Sequence, residues 1–238
     1  MCPDIERSGF SVEGTFQQYV VRGATHLIPI PESLPLHLAA PILCAGISVY
    51  GALKQSSMEP GDIVVITGAG GGLGHLAIQY AVNAFGLRVI AVDTGDSKKK
   101  LCLRLGAETF VDFKKSTNVV DEVKRVTNGA GAHAVLVTSS AANGYEGVLD
   151  YLRPCGELLA LGAAAGSKIE VDVIACISRC ITIKGLVNGN RVINRQALDA
   201  AARGRVNTVC RIEPLAKLPE VFEELKAGTL AGRIVLDL

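Results

Sequence analysis

The 238-residue sequence contains no tryptophan, and aromatic residues of all kinds make up only 5% of it. That scarcity argues against a surface that stacks nucleobases on aromatic rings. Charge of one sign is lacking too: 24 Lys and Arg stand against 23 Asp and Glu, a formal charge of +1. No strong field is therefore available to draw in nucleic acid or an anionic membrane. No apolar run of ~18 residues stands out, so a membrane span is not expected. The opening residues, Met1-Cys-Pro-Asp-Ile-Glu-Arg7, lack the apolar segment of a signal peptide. The seven cysteines are odd in number and scattered, unlike a disulfide framework. A reducing, cytoplasmic setting is the expectation.

What is present is an abundance of small and aliphatic residues, with 26 glycines and 49% hydrophobic content. From Asp62 onward the chain alternates apolar runs with helical patterns. Strands are expected at 63–67, 88–92, 109–111, 134–137, 157–161 and near 181–183. The intervening helices are expected at 75–85, 97–105, 119–127 and 141–152. Strands that read as continuous apolar runs, joined through helices, pair in parallel with both faces covered. The fold class is thus α/β, a doubly wound parallel sheet of the Rossmann type. Outside it, residues 38–53 read as one or two buried helical segments, and 15–21 as a short strand. Residues 195–203 and 219–227 read as amphipathic helices and 233–238 as a last strand.

The loop Gly68-Ala-Gly-Gly-Gly-Leu-Gly74 follows a strand and opens a helix, the context a dinucleotide fingerprint requires. Gly68, Gly70, Gly71 and Gly72 let the backbone approach a pyrophosphate, whose charge meets the N–H groups of the helix start. Gly74 lets the helix lie close to the strand. Asp93 ends the second strand, roughly 20 residues beyond the loop, where a carboxylate accepts the ribose hydroxyls. The same carboxylate would repel the 2′-phosphate of NADP, and Thr94 and Gly95 offer no cation to offset it. Lys98 is within reach of the ribose. The expected cofactor is NAD.

Several segments taken together resemble the zinc-containing, medium-chain alcohol dehydrogenases of the yeast and fungal type. They are Cys2-Pro3, Gly14-Thr-Phe-Gln-Gln-Tyr19, Ala40-Pro-Ile-Leu-Cys-Ala-Gly46, Gly68–Gly74, Asp93 with Lys98, Gly189-Asn-Arg191 and Gly232-Arg233. The resemblance implies NAD-dependent oxidation of primary alcohols to aldehydes, and the reverse, by hydride transfer beside a catalytic zinc. It implies that Cys44 is one ligand of that zinc, where the residue alone would read as a buried thiol. It makes Cys2 a remnant of a structural zinc site. It places Gly162, Ala163, Leu186 and Asn188 along the cofactor and Arg233 at its pyrophosphate. It further implies a split, mainly β, GroES-like catalytic domain, divided here as 1–46 and 186–238 around a Rossmann domain at 47–185. A homo-oligomer is expected of the full-length form.

The family's other catalytic ligands, its proton relay and three structural-zinc cysteines have no counterpart in this sequence. Both zinc sites are therefore expected to be incomplete, since Cys44 or Cys2 alone cannot hold zinc. His26 and His37 read as surface residues, His75 as a cap or solvated ring beside the loop, and His133 as structural. Cys176 and Cys180 read as buried thiols rather than a metal pair. Three accounts are open: part of an active alcohol dehydrogenase with impaired turnover here, a remnant that binds NAD without turnover, or a zinc-free quinone reductase. The split domain should leave apolar surface exposed and the isolated chain poorly soluble.

Overall fold

The computed structural model describes residue 6 and residues 8–237, the His26 side chain excepted. Its centre is a six-stranded parallel sheet in the order β3-β2-β1-β4-β5-β6. The strands are β1 (Ile63–Thr67), β2 (Arg88–Asp93), β3 (Thr109–Asp112), β4 (Ala132–Val137), β5 (Leu152–Ala160) and β6 (Thr182–Gly185). This order reverses direction between β1 and β4, and ligands of doubly wound sheets bind at such a switch.

Every residue of β1, Ile-Val-Val-Ile-Thr, is buried. Successive side chains of a strand point to opposite faces, so two separate cores grow from it. Val64 and Ile66 join one core with Leu76, Ile78 and Tyr80 of α3 (Gly74–Phe85) and with α2 (Ile47–Gln55). Ile63 and Val65 join the other with Val123 of α5 (Val119–Val126), Tyr145 and Tyr151. α5 is amphipathic: Val119, Val120, Val123 and Val126 share one side, and Asn118 caps the start by accepting the Asp121 N–H. α3 stops at Gly86, whose φ of 68° is left-handed.

Residues 36–55 depart from the reading that no long apolar stretch exists. They form one continuous 20-residue helix, long and apolar enough in composition to cross a membrane. Within its most apolar window 61% of the residues are buried inside the molecule, as in the core helix of a folded domain. Helix α1 (Leu36–Pro41) passes through a π-helical turn, Ile42–Gly46, into α2 without stopping, so the one or two segments expected at 38–53 are one.

Other boundaries moved as well. Residues 15–21 are irregular rather than a strand. Of the helix expected at 141–152, residues 141–151 form turns and a short 3-10 helix, Val148–Tyr151, and Leu152 already begins β5; Gly147 takes a φ of 64° and interrupts the α pattern. A helix the sequence reading missed, α6 (Val173–Ser178), starts on Asp172, whose carboxylate accepts two backbone N–H groups. β7 (Cys210–Pro214), also missed, pairs in parallel with β8 (Arg233–Asp237), and α8 (Leu218–Ala227) connects them. The tail's first helix, α7 (Arg191–Ala202), packs Ala197, Leu198 and Ala201 into the α3 core. Apolar side chains do lie on the surface, with Phe10 and Val21 each 90% exposed.

Candidate cofactor site

The loop between β1 and α3 sits at the switch point, and its glycines are there for space. Gly68 has a φ of 69°, and a Cβ on it would come within 2.9 Å of the Ser139 backbone beyond β4. Thr138 closes the same junction, its hydroxyl donating to the Thr67 carbonyl at 2.6 Å. A Cβ at Gly74 would meet Ala69 Cα at 2.5 Å and overlap the Gly68 carbonyl, so α3 can approach β1 only without one. At the start of α3 the N–H groups of Gly72, Leu73 and Gly74 have no acceptor among the described residues. Such N–H groups, at the positive end of the helix dipole, make an anion site.

Asp93 ends β2 and is buried. Its Oδ2 accepts the Gly70 N–H at 2.9 Å, and its Oδ1 accepts the Thr94 N–H at 2.8 Å. Lys98 Nζ lies 3.2 Å from the same Oδ1 and donates to the Gly228 carbonyl at 3.1 Å. The ammonium is therefore engaged within the protein. Gly70 is tight against the aliphatic stem of Lys98: a Cβ there would lie 2.6 Å from the Lys98 Cβ.

The loop is also tied to the β7–β8 unit. Gly232 N–H donates to the Gly70 carbonyl at 3.1 Å, and Arg233 Nε to the Gly72 carbonyl at 3.2 Å. Arg233 thus lies against the loop at Gly72. Burial lowers its pKa, and the Cys44 sulfur opposes that shift.

His75 corrects the sequence reading. It is fully buried, with Nδ1 3.0 Å from the Gly71 carbonyl and Nε2 accepting the Val209 N–H at 3.3 Å. A nitrogen that accepts carries no proton, so this pairing assigns the proton to Nδ1. Burial pushes the pKa down to about 4, against the opposing effect of the Gly71 carbonyl. One helical turn later Gln79 grips the same segment, donating to the Asn207 carbonyl at 2.9 Å and accepting its N–H at 2.8 Å. Sequence reasoning missed this clamp. Its only signal was three polar residues, His75, Gln79 and Asn83, at i, i+4 and i+8 on a mostly apolar helix.

The remaining expected contacts are spread along the same edge. Gly162 is buried behind β4, donating to the Val137 carbonyl at 2.8 Å and accepting the Tyr145 hydroxyl at 2.5 Å; Ala163 is exposed beside it. Leu186 N–H donates to the Ala160 carbonyl at 2.9 Å. Asn188, with a φ of 41°, accepts the Ser48 hydroxyl at 2.8 Å.

Zinc fits less well. Cys44 is exposed in the π-helical turn, an irregularity frequent at functional sites. Among the described residues, however, no group of three or more His, Cys, Asp or Glu could hold a metal ion. Cys2 lies outside the described residues. His37 is exposed, and His133 is held between Asp62 (2.9 Å) and the Ile63 N–H (3.1 Å). Cys180 is exposed and Cys176 half-buried, not the buried pair expected.

Residues 72–203 match the family model for zinc-binding dehydrogenases. Over 238 residues the chain is 45% identical to the alcohol dehydrogenase of Schizosaccharomyces pombe, covering all of this chain and 67% of that protein. It is also 45% identical to alcohol dehydrogenase 1 of Emericella nidulans, covering 68% of it. The chain belongs to the alcohol dehydrogenase family. The crystal structure of the alcohol dehydrogenase from Aeropyrum pernix superposes with a TM-score of 0.91 at 29% identity, covering all of this chain and 69% of that one. About a third of each relative's length therefore lies outside the matched stretch.

Proposed function

We propose that this chain is the NAD-binding part of an alcohol dehydrogenase whose reaction is hydride transfer between a primary alcohol and the nicotinamide. The observation that carries the reading is the Asp93 carboxylate, bonded to the Gly70 N–H at 2.9 Å and set beside the unpartnered start of α3. A buried carboxylate at that position accepts ribose hydroxyls and disfavours a 2′-phosphate. The α3 N–H groups and Arg233 would take the pyrophosphate. Gly162, Ala163, Leu186 and Asn188 would line the nicotinamide half. Identity of 45% to alcohol dehydrogenases favours this substrate class over quinones.

Zinc would lower the pKa of the alcohol hydroxyl so that an alkoxide forms near neutral pH. Cys44 would supply one sulfur ligand, and the described residues provide no companions for it. The 238-residue chain by itself should bind NADH and fail to reduce NAD with alcohol. NADH fluorescence titration, followed by an alcohol assay with added zinc, tests both halves. Failure to bind NADH would overturn the cofactor site. Alcohol oxidation abolished by a chelator would show a complete zinc site and overturn the second half.

A further inference from the structure

β5 and β6 run in parallel with Glu157 opposite Thr182 and Leu158 opposite Ile183. The pairing ends there, two residues short of Cys155 and Cys180. Beyond the ladder one backbone bond joins the two segments: Cys155 N–H donates to the Arg179 carbonyl at 2.7 Å, which sets Cys155 against the peptide linking Arg179 to Cys180. A bond to the carbonyl just before Cys180 brings the two α-carbons into the neighbourhood of the ~4.4–6.8 Å that a disulfide spans.

Both residues leave the ladder in the same way. Cys155 has a φ of 60° and Cys180 a φ of 52°. Between Ala132↔Leu152 and Ala134↔Glu157 the register of β5 against β4 shifts, so residues 153–156 bulge outward. Cys180 follows the end of α6. Both thiols are free and exposed. The Cys180 sulfur makes only a long contact to the Ile177 carbonyl at 3.7 Å. They sit at the N-terminal ends of their strands, away from the glycine loop at the C-terminal ends.

We propose that Cys155 and Cys180 form a reversible disulfide, a thiol modification site whose co-reactant is a peroxide. One thiolate attacks a peroxide oxygen; the O–O bond breaks, giving a sulfenic acid and, after protonation, water. The second thiolate attacks the sulfenic sulfur, the S–S bond forms, and the S–O bond breaks to release water. Two thiols and one hydrogen peroxide become a disulfide and two waters; sulfur is oxidised and peroxide reduced. The cross-link would fasten β6, an edge strand with mostly exposed residues, to β5. The cofactor loop would be untouched.

The test is mild hydrogen peroxide treatment of the whole chain, alkylation of remaining thiols, and tryptic peptide mapping without reductant. Cleavage after Arg179 separates Cys176 from Cys180, so the partners are distinguishable. The expected product joins the peptides of Cys155 and Cys180 within one chain, is reversed by dithiothreitol, and slows amide exchange in β6 several-fold. Cys155→Ser should remove both the cross-link and the slowing. A product joining Cys176 to Cys180, a link between two chains, oxidation without any link, or unchanged β6 exchange would each overturn the proposal.

Discussion

Asp93 Oδ2 accepts the Gly70 N–H at 2.9 Å, a side-chain tie between the end of β2 and the loop that follows β1, beside the Gly68 N–H donated to the Val92 carbonyl at 2.9 Å. Removing the carboxylate should act on loop and ligand together. Asp93→Ser is expected to weaken NAD binding about tenfold or more, since hydrogen bonds to charged groups are each worth ~1.5–3 kcal/mol. NADP should lose much less, because a repulsive charge disappears with the bond. Calorimetric titration with both cofactors measures the change in ratio; a parallel loss for both would show that Asp93 only shapes the loop.

Gly74 marks the closest approach of α3 to the loop, and Gly74→Ala forces a methyl into Ala69 and the Gly68 carbonyl. Overpacking of this kind costs ~1–3 kcal/mol, to be read as a lower urea midpoint. Gly185→Ala is the control, since a Cβ there meets nothing within 4 Å. Equal midpoints for the two variants would refute the packing argument.

His75 makes stability depend on pH in a defined direction. Its folded pKa is lowered to about 4, whereas the unfolded imidazole titrates near its model value of 6.5. Above pH ~6.5 both states are neutral and the full stability is present. As pH falls below that value the unfolded state takes up the proton first, so stability drops until the folded ring titrates as well. The loss attributable to His75 is on the order of 3 kcal/mol, from ~1.4 kcal/mol per pKa unit. Urea midpoints at several pH values between 7 and 4 should fall more steeply for the wild type than for His75→Gln. Parallel slopes would mean that other groups govern acid sensitivity.

Arg233 spans the distance between β8 and the loop through its bond to Gly72. Arg233→Met keeps much of the apolar stem and removes the charge. NAD affinity should fall about tenfold, and the dependence of binding on salt should flatten. If AMP, which carries one phosphate, suffered the same loss as NAD, the arginine would not be acting on the pyrophosphate.

The β1–loop–α3–β2 unit was legible in the sequence because three independent signals coincide there. A fully apolar strand, a glycine run and a distant Asp93 all demand the same geometry. The parallel, doubly wound pairing followed from the alternation of apolar runs and helices, whereas the strand order came only from the structure. β7 was not legible, because most of its residues are exposed and it relies on β8 for pairing. The 141–152 segment misled, since its apolar spacing is helical while Gly147 is left-handed. The role of His75 could not be read either: its partner Val209 lies 134 residues away, and only the fold joins them. Cys44 was singled out through family resemblance alone, and the described residues around it do not complete a metal site.

The central claim is that this chain binds NAD through a loop anchored by Asp93. The most direct test is a calorimetric titration of the purified chain with NAD and then with NADP under identical conditions. Saturable one-to-one binding of NAD, at least tenfold tighter than NADP, is the predicted result. No heat with either cofactor, or tighter binding of NADP, would contradict the account.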